Sequence, residues 1–406
     1  MSLHVLEKLA ATNPDCEIWW DSSPLIYDGW KASVLKDAPA AKRTDWEAQL
    51  TRLFDAQIAF RDGTMGFRGV TTNPPLSLQA IQADPAFWAD EIRRIASERS
   101  AGDVEDIYWA VYLDVVRRGA AMIRKVFDVS GGKYGYVSGQ VDPRFVTDKA
   151  RMLEQGLQLA EIAPNVMVKI PGSKEGYEVI EELTARGIST NNTTSFTVPQ
   201  YVACMDAVSR GLERARAAGV DLSKWRSVIT HMSARLGNVG DLKAQADARG
   251  IALSPEEILL GEMAVLKRAY RYGKEQNHPS KMLQCSMRVQ DEGEGGKASS
   301  GHIALIAGGD FVYTCPPGYI AQLMKAEDRL PDFDASAIDT DAPAELIEKL
   351  LRIPYFRQAY EFDGMKPEEF SRFGAFAATA AEFAAATRKT VDFVAQAVET
   401  LHRRVA

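Results

Sequence analysis

Eight short apolar and β-branched runs punctuate this chain, separated by longer segments of helical periodicity, and that alternation leaves few folds open. The runs are Glu17–Asp21, Phe67–Thr72, Tyr134–Asp142, Val166–Pro171, Ile188–Ser195, Ser227–Met232, Met282–Arg288 and Phe311–Cys315. Helical patterns such as Lys174–Arg186 and Pro199–Ala218 lie between them. A helix between consecutive strands makes neighbouring strands parallel, and eight repeats predict a closed (β/α)8 TIM barrel. A length of 406 residues fits a barrel with insertions. The expected organisation is a catalytic barrel over residues 1–330 and a helical extension, 331–406, packed on it.

The additions are visible as departures from the repeat. Residues 22–66 form a long first connection, and Asp103–Phe127 reads as a strong helix. Asp332–Pro343 is acidic and loop-like, and the chain is helical from there to its end. The Ala-rich stretch Gly374–Leu401 is broken by Glu382, Arg388 and Lys389, a soluble helix pattern rather than a membrane span.

Composition excludes several classes. A formal net charge of −7 without a basic block argues against a nucleic-acid surface. The four cysteines, Cys16, Cys204, Cys285 and Cys315, form no C-x-x-C pair, and the five histidines show no metal-ligating spacing, so no metal is expected. Gly293-Glu294-Gly295-Gly296-Lys297-Ala298 matches a dinucleotide fingerprint weakly and too late in the chain, and reads as a surface loop. Met1-Ser2-Leu3-His4 lacks the basic start and apolar run of a secretion signal, so a cytoplasmic protein is expected.

Barrel active sites are assembled at the C-terminal ends of strands. Here seven consecutive runs end in polar residues: Asp21; Thr71 to Asn73; Gln140 and Asp142; Lys169; Asn191 and Thr193; Arg235; and Ser286 with Arg288. Asn73 before Pro74 and Asp142 before Pro143 also have ordinary turn readings. Lys169 ends the apolar run Asn165-Val166-Met167-Val168. Such a lysine commonly points to solvent. The other reading is an amine with a lowered pKa that attacks a carbonyl to form a Schiff base. Asp21 is a carboxylate able to move a proton at a hydroxyl, Asn73, Asn191 and the threonines can orient hydroxyls, and Arg235, Ser286 and Arg288 can hold a phosphate.

At these residues the chain resembles the transaldolase family of Schiff-base barrels. The likeness runs from Ile18 to Pro316 and rests on Gly69-Val70-Thr71-Thr72-Asn73-Pro74, Val137-Ser138-Gly139-Gln140-Val141-Asp142-Pro143, and Val168-Lys169-Ile170-Pro171-Gly172 followed by Glu175-Gly176. It implies Lys169 as the Schiff-base lysine, Asp21 as the acid/base at the C4 hydroxyl, and Thr193 as the residue positioning water. It further implies that Thr71, Asn73 and Asn191 hold donor hydroxyls and that Arg235, Ser286 and Arg288 bind phosphate. The activity implied is transfer of a dihydroxyacetone unit between phosphorylated ketose and aldose, a step of pentose phosphate carbohydrate metabolism that needs no cofactor. The C-terminal helices or residues 22–66 are candidate surfaces for a homodimer.

Three positions depart from the family pattern. Gln140 stands where transaldolases carry a glutamate, as in the fructose-6-phosphate aldolase branch; glutamine carries no proton. Met232 stands where that branch has a tyrosine, which leaves His231 as a candidate proton carrier or simply a packed histidine. Asn192-Thr193-Thr194 is more polar than usual. The alternative activity is therefore a lyase-type aldolase that releases the three-carbon ketone. A non-catalytic sugar-phosphate-binding barrel is the third reading, disfavoured by the presence of both Lys169 and Asp21.

Overall fold

The computed structural model of the chain describes residues 2–55, 66–99, 103–293 and 296–405. Eight parallel strands close into a barrel in sequential order. They are β1 (Glu17–Asp21), β2 (Gly69–Thr71), β3 (Tyr136–Gln140), β4 (Val166–Pro171), β5 (Thr190–Thr193), β6 (Ser227–Met232), β7 (Lys281–Cys285) and β8 (Phe311–Cys315), with β8 pairing back onto β1. Each expected run contains or overlaps its strand, and four are shorter at the C-terminal end than the sequence pattern. The polar residues there leave the ladder for turns: Asn73 Oδ1 accepts the Leu76 N–H at 2.9 Å, capping helix Pro74–Ala83, and Asp142 Oδ1 accepts the Arg144 N–H at 2.9 Å.

Successive side chains of each strand alternate between barrel interior and helical shell. Val137, Val168, Ile170, Ile229 and Val312 are buried. Two glycines mark where a neighbour leaves no room for a side chain. A Cβ at Gly69 would sit 2.3 Å from Trp19 Cε2, and one at Gly176 would sit 2.0 Å from the Pro171 carbonyl oxygen. The second explains why a glycine follows the lysine strand. Helix Lys174–Ala185 folds back directly onto the end of β4.

The N-terminal floor is closed by charge. Buried Glu17 accepts the Trp19 indole N–H at 3.0 Å and pairs with Lys281 at 3.1 Å and with Arg226. The long insertion helix begins at Val104, capped by Asp103, and ends at Val129. Part of the first connection, residues 56–65, lies outside the described residues, as do Glu294 and Gly295 of the glycine-rich loop. The rest of that loop joins a two-residue antiparallel ribbon, Gln290–Asp291 with Ala298–Ser299, and Lys297 is exposed.

The last helix, Gly374–Val405, packs on helices Pro74–Ala83, Pro85–Glu98 and Val104–Val129 and on the 3-10 turn Pro143–Phe145. Its buried positions Ala375, Phe376, Thr379, Phe383, Thr387, Thr390, Val394 and Ala397 repeat at helical spacing. This stripe carries the helix across connections that leave the C-terminal ends of β2 and β3. Among the described residues no helix is long and apolar enough to cross a membrane.

Gly176→Ala is expected to destabilise the chain by about 1–3 kcal/mol, because a methyl group overlaps a strand-end carbonyl that the barrel holds in place. Chemical denaturation of the two forms measures this. A change within about 0.5 kcal/mol would contradict the close-approach account.

Candidate active site

The C-terminal mouth of the barrel opens into a cleft of about 240 Å³ lined by Asp21, Thr71, Asn73, Lys169, Thr193, Arg235 and Ser286. These are seven of the eleven residues singled out from the sequence. Lys169 sits on β4 between Gln140 of β3 and Asn191 of β5, its register partners. Its side chain is buried, and Nζ donates to the Thr72 carbonyl at 3.1 Å. Asp21 Oδ1 accepts from Thr71 Oγ1 at 2.6 Å, and Thr71 Oγ1 also lies 2.6 Å from Thr314 Oγ1.

Beside Lys169 the barrel interior is polar. Asn191 Nδ2 donates to Ser138 Oγ at 2.8 Å, and its Oδ1 accepts from Thr230 Oγ1 at 2.9 Å. Both ends of the Asn191 amide are thereby engaged by hydroxyls. Thr193 Oγ1 and Gln140 Oε1 are buried with no hydrogen-bond partner among the described residues. Ser286, at φ 60°, and Thr194, at φ 49°, stand in the left-handed region just beyond β7 and β5. That conformation costs a non-glycine residue about 1–2 kcal/mol, and it concentrates at sites where side-chain placement is under constraint.

Burial drives Lys169 and Asp21 toward their neutral forms. Desolvation lowers the Lys169 pKa, while the Asp21 carboxylate and Cys285 push it the other way. Desolvation likewise raises the Asp21 pKa, opposed by Lys169, the Thr71 hydroxyl and Arg235. A lysine pointing to solvent would show neither the burial nor the shift.

The remaining singled-out residues lie off the cleft wall. Gln140 is buried one strand away, its backbone N–H donating to the Tyr112 hydroxyl at 2.8 Å. Arg288 turns aside: its Nη2 lies 2.9 Å from Glu262 Oε2, an oxygen that His302 Nε2 also approaches at 3.0 Å. His231 lies between Thr230 and Met232, which line the cleft, so strand alternation places it on the opposite face. Its Nδ1 is 3.0 Å from Ser233 Oγ, and burial pushes its pKa down to about 3.

The cleft also contains residues that sequence reasoning passed over. Thr314 belongs to β8, whose end residues read as an apolar run closing on Cys315. Cys285 lies beside Met232 across the β6–β7 ladder, its thiol pushed up to about 12 by burial. Glu382 and Phe383 come from the last helix. No local signal marks these two, since their neighbour Arg235 lies 147 residues away from Glu382.

Removing the Asp21 carboxylate removes a charge that favours the ammonium form of Lys169. Asp21→Asn is therefore expected to lower the Lys169 pKa further, so that the amine becomes reactive at lower pH. The pH dependence of borohydride trapping of a simple ketone tests this. A midpoint that moves up or stays fixed would contradict the coupling.

Comparison with known proteins agrees with this geometry. The Transaldolase/Fructose-6-phosphate aldolase family model matches residues 58–360. A protein named Transaldolase from Thiobacillus denitrificans is 31% identical over 244 residues, covering 59% of this chain and 66% of that protein. Transaldolase 1 of Streptomyces coelicolor is 37% identical over 210 residues, covering 51% and 53%. Transaldolase of Mycolicibacterium smegmatis is 36% identical over 188 residues, covering 44% and 50%. The matched stretches thus span half to two thirds of these relatives' lengths. With the family model spanning most of the chain, and a buried lysine on the fourth strand of an eight-stranded barrel, the chain belongs to the transaldolase/fructose-6-phosphate aldolase family.

Proposed function

We propose that this chain is a transaldolase-type transferase that moves a dihydroxyacetone-type unit between phosphorylated sugars through a Schiff base on Lys169. The observation that carries the reading is the buried Lys169 amine, its pKa lowered by desolvation, sharing one cleft with a carboxylate and an arginine. Relatives named Transaldolase support the same class.

In the proposed reaction the neutral amine adds to the ketose carbonyl, water leaves and the imine takes up one proton from solvent, giving an iminium. Asp21 takes the proton from the C4 hydroxyl. The C3–C4 bond breaks, its electrons pass into the iminium as an enamine, and an aldose phosphate departs. A second aldose is attacked by the enamine while Asp21 returns the proton, and water releases the product. Burial raises the Asp21 pKa above the usual carboxylate range, which suits a group that must both take and return a proton. In this reading Thr71 and Asn73, on the cleft wall, hold donor hydroxyls, with Asn191 doing so from the interior layer. Thr193 has an unsatisfied hydroxyl in the cleft, suited to a water. Arg235 and Ser286 are the cleft groups suited to the phosphate, and Arg288 joins them only if it leaves Glu262.

Holding an enamine until an acceptor arrives requires shelter from water. The last helix contributes Glu382 and Phe383 to the cleft and so provides part of that cover. Gln140 beside Lys169 favours the lyase reading, because an amide cannot shuttle the proton a glutamate would. The two activities separate on one measurement: consumption of fructose 6-phosphate with and without erythrose 4-phosphate. Transfer predicts that consumption rises at least about tenfold on adding the acceptor, whereas an unchanged rate would establish the lyase. Lys169→Ala is expected to reduce either activity by about 1000-fold or more. Retention of activity in that variant would refute the Schiff-base proposal.

A further inference from the structure

The arginine assigned to phosphate is already paired within the chain. Arg235 follows β6 on the short helix Ser233–Asn238. Its Nη1 lies 2.6 Å from Glu382 Oε2 and its Nη2 lies 3.1 Å from Glu382 Oε1, a two-pronged pairing of guanidinium with carboxylate. Nη1 also approaches Thr379 Oγ1 at 3.3 Å, one turn earlier on the same helix, and the Phe383 ring lies 5.7 Å from Arg235 Cζ. Three residues of the last helix thus engage one guanidinium, and both Glu382 and Phe383 line the cleft.

A carboxylate and a phosphate present the same paired oxygens to the same fork of N–H groups, so they compete for it. The pairing is built to exchange. The Glu382 side chain is 53% exposed, so water takes over its charge readily when it swings away. The second arginine offers a contrast. Glu262 is fully buried, and removing Arg288 from it would leave a carboxylate in the interior with only His302 and the Gly237 N–H beside it among the described residues. Of the two arginine–carboxylate pairs, only Arg235–Glu382 combines a place in the cleft with an exposed, screened carboxylate.

We propose that Glu382 is a specificity-determining residue: an internal carboxylate that holds the Arg235 fork until a substrate phosphate displaces it. This rests on the assignment of Arg235 to the phosphate under the proposed function. Phosphorylated sugars are then selected by competition, because a dianion outbids a carboxylate for the fork while a neutral sugar does not. Glu382 sets the concentration of sugar phosphate at which the site fills, and its displacement loosens a polar tie between the last helix and the barrel mouth.

The test is calorimetric binding of inorganic phosphate to the full chain, to Glu382→Gln, and to Asp392→Asn, which removes the same charge from an exposed position of the same helix. Glu382→Gln is expected to bind phosphate about three- to tenfold more tightly than both other forms. Adding Arg235→Ala to Glu382→Gln is expected to erase that gain. Glu382→Ala serves the same comparison should the glutamine variant fold poorly. Binding by the Glu382 variants no tighter than by Asp392→Asn overturns the proposal, as does a gain that survives loss of Arg235. Repeating the comparison in a Lys169→Ala background separates the outcomes. The phosphate gain does not need the imine, so failure of one leaves the other readable.

Discussion

The organising constraint is the burial of one amine. Placing Lys169 inside the barrel strips its ammonium of water, and among the described residues the Thr72 carbonyl accepts a hydrogen bond from it in return. Charge is therefore disfavoured there, and the group is moved toward the free base. The same desolvation acts on Asp21, so the cleft holds an acid and a base whose ordinary affinities for protons are drawn together. A folded chain tolerates this because the ladder around it is closed: every strand of the barrel has a parallel neighbour on both sides. Polar side chains can then occupy the interior without competing with unpaired backbone.

The interior is graded along the barrel axis. At the floor, Glu17 is matched by Arg226 and Lys281, and Trp19 fills the space above it. The middle layer is neutral and polar, with Ser138, Asn191 and Thr230 joined in a chain of hydrogen bonds. At the mouth stand Asp21, Lys169 and Arg235, under residues of the last helix. Charge that must stay fixed is paired at the closed end. Charge proposed to react or exchange lies where solvent and substrate arrive.

Much of the fold was legible because parallel strands and amphipathic helices have different periods, and all eight strands carried theirs clearly. Lys169 and Asp21 were legible for a related reason: a charged residue terminating an apolar run conflicts with burial unless something at the strand end uses it. The directions of Arg288 and His231 were not. Arg288, three residues beyond β7's last ladder position, Cys285, is free of strand alternation and is captured by Glu262, 26 residues earlier on the helix that precedes β7. His231 faces away because Thr230 faces in, and that phase is set only once neighbouring strands are in register. Glu382 was seen merely as a charge interrupting an alanine-rich helix. Its meaning comes from packing that sequence spacing cannot convey.

The account stands on a carbon–nitrogen bond forming at Lys169 with the donor then cut. Intact mass after incubation with fructose 6-phosphate and borohydride, followed by peptide mapping, tests it most directly. The account predicts a stable adduct of three-carbon size confined to the peptide carrying Lys169. No adduct with any of a panel of phosphorylated ketoses, or an adduct on another lysine, would contradict it.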